Sequence, residues 1–283
     1  MAEKRDPVWE AARAGDPDRY LAALYAPRER RDGLMALAAF GAEMTRIPLT
    51  VREPLLAEIR LQWWRDALDL APDTVSGAPV ADALRRTMLT AGLPLGLLHG
   101  MIDAASSQAA SAPVKDEQSL RSLLHKSEGA QLVLAARVLG ATTSDTLETA
   151  AAEGGYALGI GRLIRDLGAA ASLGRVLLPE SLAARHGSDL GHWRQGLWSG
   201  PDQAVISDIA AEGVAAARRA SRLVERLDKA LLPAFLPLAA APARLANAAA
   251  SASNPLRNAR PDDPLARWWR LWRAQLRGTL VAG

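Results

Sequence analysis

Apolar residues along this chain return at intervals of three and four, the period that gathers them on one face of an α-helix. Two such segments, Asp16 to Tyr25 and Arg30 to Met44, are interrupted near Pro27 and again at Pro48, so two consecutive helices are predicted. A third, Pro54 to Leu70, contains LQWWRDAL and stops at the turn-rich APDTVSGAP. The same spacing predicts helices over Val80 to Ala91, Pro94 to Ser107, Glu117 to Leu139 and Ser144 to Leu167. After a break at Leu178 and Pro179 come a short helix, Leu182 to His186, and two long patterns, Asp202 to Leu231 and Pro264 to Leu280. No segment repeats at a fixed period, which argues against a solenoid. The expected architecture is an all-α, single-domain helical bundle spanning 1–283.

Composition supports this and removes several classes of function. Alanine, leucine and arginine dominate while isoleucine, threonine, tyrosine and phenylalanine are scarce, a balance that suits helices. There is no cysteine, and His99, His125, His186 and His192 lack ligand spacing, so no zinc or haem site is expected. The first twenty residues mix acids with bases and resemble neither a secretory signal nor a transit peptide, which predicts a cytoplasmic protein. The apolar run from Ala230 to Ala241 is interrupted by Pro233 and Pro237, shorter than the roughly 18 residues that span a bilayer. Net charge is only +3, and the arginines alternate with acids, so no nucleic-acid partner is implied.

Two stretches invite chemical readings that their context does not support. EGGYALGIGRLIRD is rich in glycine, but no strand precedes it and G-x-G-x-x-G is absent, so Gly155 and Gly159 are read as a face on which another helix can approach closely. Trp63 and Trp64 are read chiefly as packing residues, with ligand stacking the lesser alternative.

The ordered segments DPDRYLAALYAPRERRDGLMALAAFGAEMTR, EIRLQWWRDAL and GIGRLIRDLGAAASLGRVLLPESL resemble the squalene/phytoene synthase family over most of residues 16 to 186. The resemblance implies an isoprenoid-synthase bundle in which active members join two prenyl diphosphates head to head, using two D-x-x-x-D segments. Carboxylates at i and i+4 share a helix face and can hold the Mg²⁺ ions that neutralise a departing diphosphate.

This chain departs from that pattern. Thr45 and Arg46 stand where the first aspartates belong and Leu49 follows. The second segment keeps Asp166 but has Ala170, and Leu177 replaces a tyrosine. Glu43, Arg165, Asp166 and Arg175 are the candidate vestigial residues for a diphosphate or other anion, with Asp166 also able to pair with Arg165 and Arg175 at the helix end. No catalytic residue, no metal ligand and no cofactor is expected, Mg²⁺ entering only if the chain is an active enzyme.

The same departures resemble a non-catalytic branch of the family that includes the mitochondrial factor for assembly of respiratory complex I. Three functions follow from the resemblance: an assembly factor for a membrane respiratory complex that holds a lipid or isoprenoid, an active Mg²⁺-dependent prenyl transferase with an altered metal site, or a non-enzymatic isoprenoid carrier. A respiratory-complex subunit and a membrane surface are the implied partners. The expected setting is the bacterial cytoplasm, peripheral to the inner face of the membrane.

Two structural expectations remain. Ala38, Gly41, Ala42, Gly129, Ala130 and Gly159 are small enough to leave a long apolar cavity between the segments Leu34 to Met44, Gln118 to Leu139 and Tyr156 to Leu167, unless they simply let helices pack tightly. The C-terminal amphipathic helix, about 264–280, places Leu265, Trp268, Trp269, Trp272, Leu276 and Leu280 on one face and Arg267, Arg270, Arg273 and Arg277 on the other. Trp268, Trp269, Trp272, Arg270 and Arg273 are therefore candidate membrane contacts, the alternative being that the tryptophan face closes the bundle.

Overall fold

The computed structural model describes residues 6–71, 74–250, 254–257 and 263–280, and every regular element among them is helical. In order they are α1 (Pro7–Gly15), α2 (Pro17–Leu24), α3 (Arg28–Thr50), α4 (Pro54–Asp69), α5 (Pro79–Ala91) and α6 (Leu95–Ala109). Then come α7 (Glu117–Leu124), a π-helical turn (His125–Gly129), α8 (Ala130–Val138), α9 (Asp145–Arg165) and α10 (Leu167–Ser172). The rest comprises α11 (Glu180–Arg185), α12 (Leu190–Arg194), α13 (Gly200–Val224), α14 (Leu232–Phe235), α15 (Ala241–Ala250) and α16 (Pro264–Arg277), with 3₁₀ turns on either side of α14.

Side-chain caps set many of the helix starts. Asp6, Asp16, Asp116, Ser144 and Asp263 each accept a hydrogen bond from a backbone N–H in the first turn that follows, and Ser199 with Asp202 forms a reciprocal box at α13. Gly92 and Gly278 end α5 and α16 in the left-handed conformation.

Beyond the short helices α10 and α12, which the pattern does not mark, four elements differ from the pattern read along the sequence. Helix α1 is too short for its periodicity to register, and Asp6 with Pro7 starts it. Helix α3 runs through Pro48 because the proline lies in the last turn, where a lost hydrogen bond disturbs least, and the carbonyls of Pro48, Val51 and Arg52 are taken up by the Arg175 guanidinium. The long pattern from Glu117 to Leu139 contains the π turn, in which the Ala130 N–H reaches back to the His125 carbonyl. The proline-interrupted stretch after Asp228 stays helical, so Lys229–Ala250 is long and apolar enough to cross a membrane, yet it is mostly buried in the bundle.

Helices α9 and α13 form the central pair, with the π turn laid against α9. Gly155 faces the backbone of Gly129, and Gly159 faces the Leu124 side chain, so a methyl group at either position would collide. The close approach expected at Gly155 and Gly159 is thus present. The cavity expected between the three segments is present, with Ala42, Glu128 and residues from Ala157 to Asp166 on its walls, but it does not reach Gly41, where Gln131 fills the space and donates to the Leu37 carbonyl at 3.2 Å. Trp64 is buried and meets Phe40 edge-on at 5.1 Å, whereas Trp63 is 43% exposed, so the packing expected of the pair holds for Trp64 alone.

Candidate functional site

The cavity runs along α9 from Ala157 to Asp166, within the segment expected to line it. It measures about 1010 Å³ and is framed by the α1–α2 corner, the middle of α3, the C-terminal half of α9, and α13, α15 and α16. Its walls are largely apolar, from Leu158 and Ile164 of α9, Ile206 of α13 and Ala241 and Leu245 of α15. That volume is at the upper end for small-molecule sites and has room for an extended hydrocarbon.

A charged cluster closes one end. Glu128, delivered inward by the π turn and only 2% exposed at its side chain, is clasped by Arg19 at 2.6 Å and by Arg162. Arg19 also holds Asp16 at 2.6 Å, and Arg162 donates to the Thr45 hydroxyl, which in turn donates to the Gly41 carbonyl at 3.0 Å. Enclosure by protein walls, together with the neighbouring Arg19 charge, pushes Arg162 down to about 9, although 22% of its side chain still faces the cavity. Burial would raise the Asp16 carboxyl, but Arg19 and Arg162 outweigh it and hold the group below the usual value. A second knot ties α2, α15 and α16 together, where Asp18 receives Arg244 at 3.0 Å and Arg267 at 3.1 Å.

The residues singled out along the sequence divide. Asp166 lies at the end of α9 with both carboxylate oxygens engaged by Arg165 at 2.9 Å, and both residues line the cavity. Arg175 is a correction: it is buried and serves the carbonyls at the end of α3, so it neither pairs with Asp166 nor offers its donors to an anion. Glu43 is another, pairing with Arg46 at 2.8 Å on the outer side of α3 and not lining the cavity. Thr45 does line it, at the position of a missing aspartate. Asp16, Arg19, Glu128 and Arg162 were not found by sequence reasoning, because neither a helix cap nor a helix interrupted by a π turn announces an inward carboxylate.

Mg²⁺ fits this site poorly. Among the described residues no three acidic, histidine or cysteine side chains converge as a metal group. Asp16, Glu128 and Asp166 each bind a guanidinium at hydrogen-bond distance, which occupies the oxygens that a hard cation would need.

On α16 the faces are rotated from those expected. Leu271, Ala274 and Leu280 are buried, and Arg267 and Arg270 look into the cavity. Trp268 and Trp269 are 46% and 48% exposed, and with Trp272 they form a stack, the Trp268–Trp272 and Trp269–Trp272 ring centres lying 5.9 and 4.9 Å apart. The helix thus closes the bundle with its leucine and alanine side, not with its tryptophan side.

The chain is 26% identical over 228 residues to the Mus musculus protein "NADH dehydrogenase (ubiquinone) complex I, assembly factor 6", covering 80% of this chain and 68% of that one. It is 29% identical over 181 residues to the Drosophila melanogaster homolog of that factor, covering 61% and 53%. In fold it is similar to squalene synthase HpnC from Alicyclobacillus acidocaldarius, with TM-score 0.67, 17% identity and coverage of 84% and 90%. It is likewise similar to a dehydrosqualene synthase in complex with ligand, with TM-score 0.70, 14% identity and coverage of 95% and 94%. The family model described as squalene/phytoene synthase matches residues 12–270, and the chain belongs to the squalene/phytoene synthase family.

Proposed function

We propose that this protein is a catalytically degenerate member of its family that assists assembly of a membrane respiratory complex of the complex I type and holds a lipid or isoprenoid in its cavity. The observation that carries the reading is Glu128 clasped by Arg19 and Arg162 at the head of an apolar cavity. Ionisation of a prenyl diphosphate needs positive charge free to follow the departing group. Here the guanidiniums of Arg19, Arg162 and Arg165 at the charged end are matched by Glu128 and Asp166, and among the described residues no group of acids is left to recruit a metal. The names carried by the similar mouse and fly proteins support the assembly role, and the volume and apolar walls of the cavity support the lipid. In this reading the protein works peripherally, at the cytoplasmic face of a bacterial membrane.

Two measurements test it. Incubation with Mg²⁺ and farnesyl or geranylgeranyl diphosphate yields no squalene-, phytoene- or presqualene-type product, and Ala170→Asp does not create one. Metal-dependent turnover by the unaltered chain would return the protein to the enzymes. Deleting the gene in the organism that encodes it lowers the amount of assembled NADH:ubiquinone complex in the membrane. An unchanged amount overturns the assembly role and leaves the carrier reading.

A further inference from the structure

Helix α16 has four arginines and no acid among its fourteen residues, and its two sides face different surroundings. Outward, Leu265, Trp268, Trp269 and Leu276 are exposed, with the indoles stacked together. A contiguous apolar patch of this kind marks an interaction surface. Indoles favour the interfacial layer of a bilayer, where ring and N–H are both accommodated. Arg273 and Arg277 flank the patch with no ion pair among the described residues, which suits anionic head groups and not an acid-poor protein surface.

Inward, charge matching in the cavity leaves a remainder. Seven arginines and five carboxylates line it. Arg19 and Arg162 are taken by Glu128, Arg165 by Asp166, and Arg244 and Arg267 by Asp18, while Asp263 caps α16. Arg257 and Arg270 remain, with no ion pair among the described residues. Arg270 belongs to α16, and Arg257 follows Leu256, whose backbone rests on Gly168 at the start of α10, so both reach the same cavity from its outer wall. Guanidinium forks match phosphate geometry and keep their charge at any working pH. Arg270 directly follows Trp269, so the cationic rim and the indole patch lie within about one helical turn, roughly 5 Å along the axis.

We infer that α16 seats on an anionic bilayer through Trp268, Trp269 and Trp272, and that Arg270 with Arg257 receives the phosphate head of a lipid passing from the bilayer into the cavity, without a metal ion. This rests on the lipid-holding part of the proposed function. It gives the head group to Arg257 and Arg270, while Arg165 stays paired with Asp166.

The test uses the full chain with vesicles of phosphatidylcholine and phosphatidylglycerol, floated at low and high salt and with EDTA, followed by mass spectrometry of lipid retained on the re-isolated protein. The unaltered chain floats at low salt, is released at high salt, and retains phosphatidylglycerol whether or not EDTA is present. The W268S/W269S/W272S variant floats at least about tenfold less and retains no lipid. The R257Q/R270Q variant still floats but retains none, and a melting curve close to that of the parent shows that both variants are folded. Equal flotation by the tryptophan variant, equal lipid on the arginine variant, loss of lipid in EDTA, or failure of the parent to float each overturns the inference. Complementation of the deletion strain is scored separately. A variant that holds no lipid yet restores complex assembly leaves the assembly role standing without the lipid.

Discussion

Helix α9 passes through two regions built from similar residues, one shut and the other open. At Gly159 the Leu124 side chain fills the space that the glycine leaves, while at Gly161, two residues later, nothing lies within 4 Å. Glycine permits close approach, but whether a gap closes depends on what the facing helix sends into it. Upstream, α9 meets Leu124 and the Gly129 backbone; downstream, it meets charged groups that hold one another at fixed distances and prop the walls apart.

The charged end gives the sharpest way to break this contrast. Glu128→Gln leaves Arg19 and Arg162 facing each other in an enclosed site, and the expected loss is about 3–5 kcal/mol by chemical denaturation, toward the lower figure because Arg162 keeps some access to the cavity. A near-neutral result means that water in the cavity already screens the cluster.

The shut end comes next. Gly155→Ala drives a methyl group into the Gly129 backbone, which cannot swing aside as a side chain can, and should cost about 1–3 kcal/mol. Gly161→Ala, in the open part of the same helix, should stabilise by up to about 1 kcal/mol. Thermal melts of the two variants moving in the same direction would erase the distinction between the regions.

A smaller effect depends on pH. The folded Asp16 carboxyl lies below its ordinary value of 3.8, so its contribution to stability is present above that value and is lost as pH falls through the lower folded one. Asp16→Asn should therefore flatten the fall in stability below about pH 4. An unchanged acid limb would show that Arg19 and Arg162 do not act on this group. Smallest of all, R257Q/R270Q should alter stability by less than about 0.5 kcal/mol, since neither arginine has an ion-pair partner to lose among the described residues.

Most helices were legible because their apolar spacing survives packing, as in α4, α5 and α6. The family was legible from AF-x-x-E, QWWRD and the segment around Asp166. The site was legible only where a residue acts beside its own sequence neighbour, as Arg165 does with Asp166. Arg175 and Glu43 misled because a charged side chain does not declare its partner: one turned to backbone carbonyls more than a hundred residues away, the other to its own helix. Glu128 was missed because inward and outward positions are counted at a fixed period, and the π turn changes the count. The faces of α16 were misplaced for a different reason: the pattern treats tryptophan as a residue to bury, but the helix packs on the 3₁₀ turn Leu236–Ala240 and on α2 with Leu271 and Ala274.

That turn also governs how the gene can change. His125 and Lys126 are exposed, and their identities matter little to packing. Losing one codon among the five of His125–Gly129 would close the turn to ordinary α-helix and leave the helix behind it near its present register, because the wide turn holds one residue more than a regular one. Leu132 and Leu134 would keep their places, and the change would fall on the turn that aims Glu128 at its two arginines. A codon lost at 112–113, where both residues are exposed, would shorten a surface loop. The same small mutation inside the regular helix α9 would rotate everything behind it by about 100° and turn Ile160 and Ile164 from the core, so among descendants of this gene changes of length should collect at the loop and the wide turn and stay out of α9.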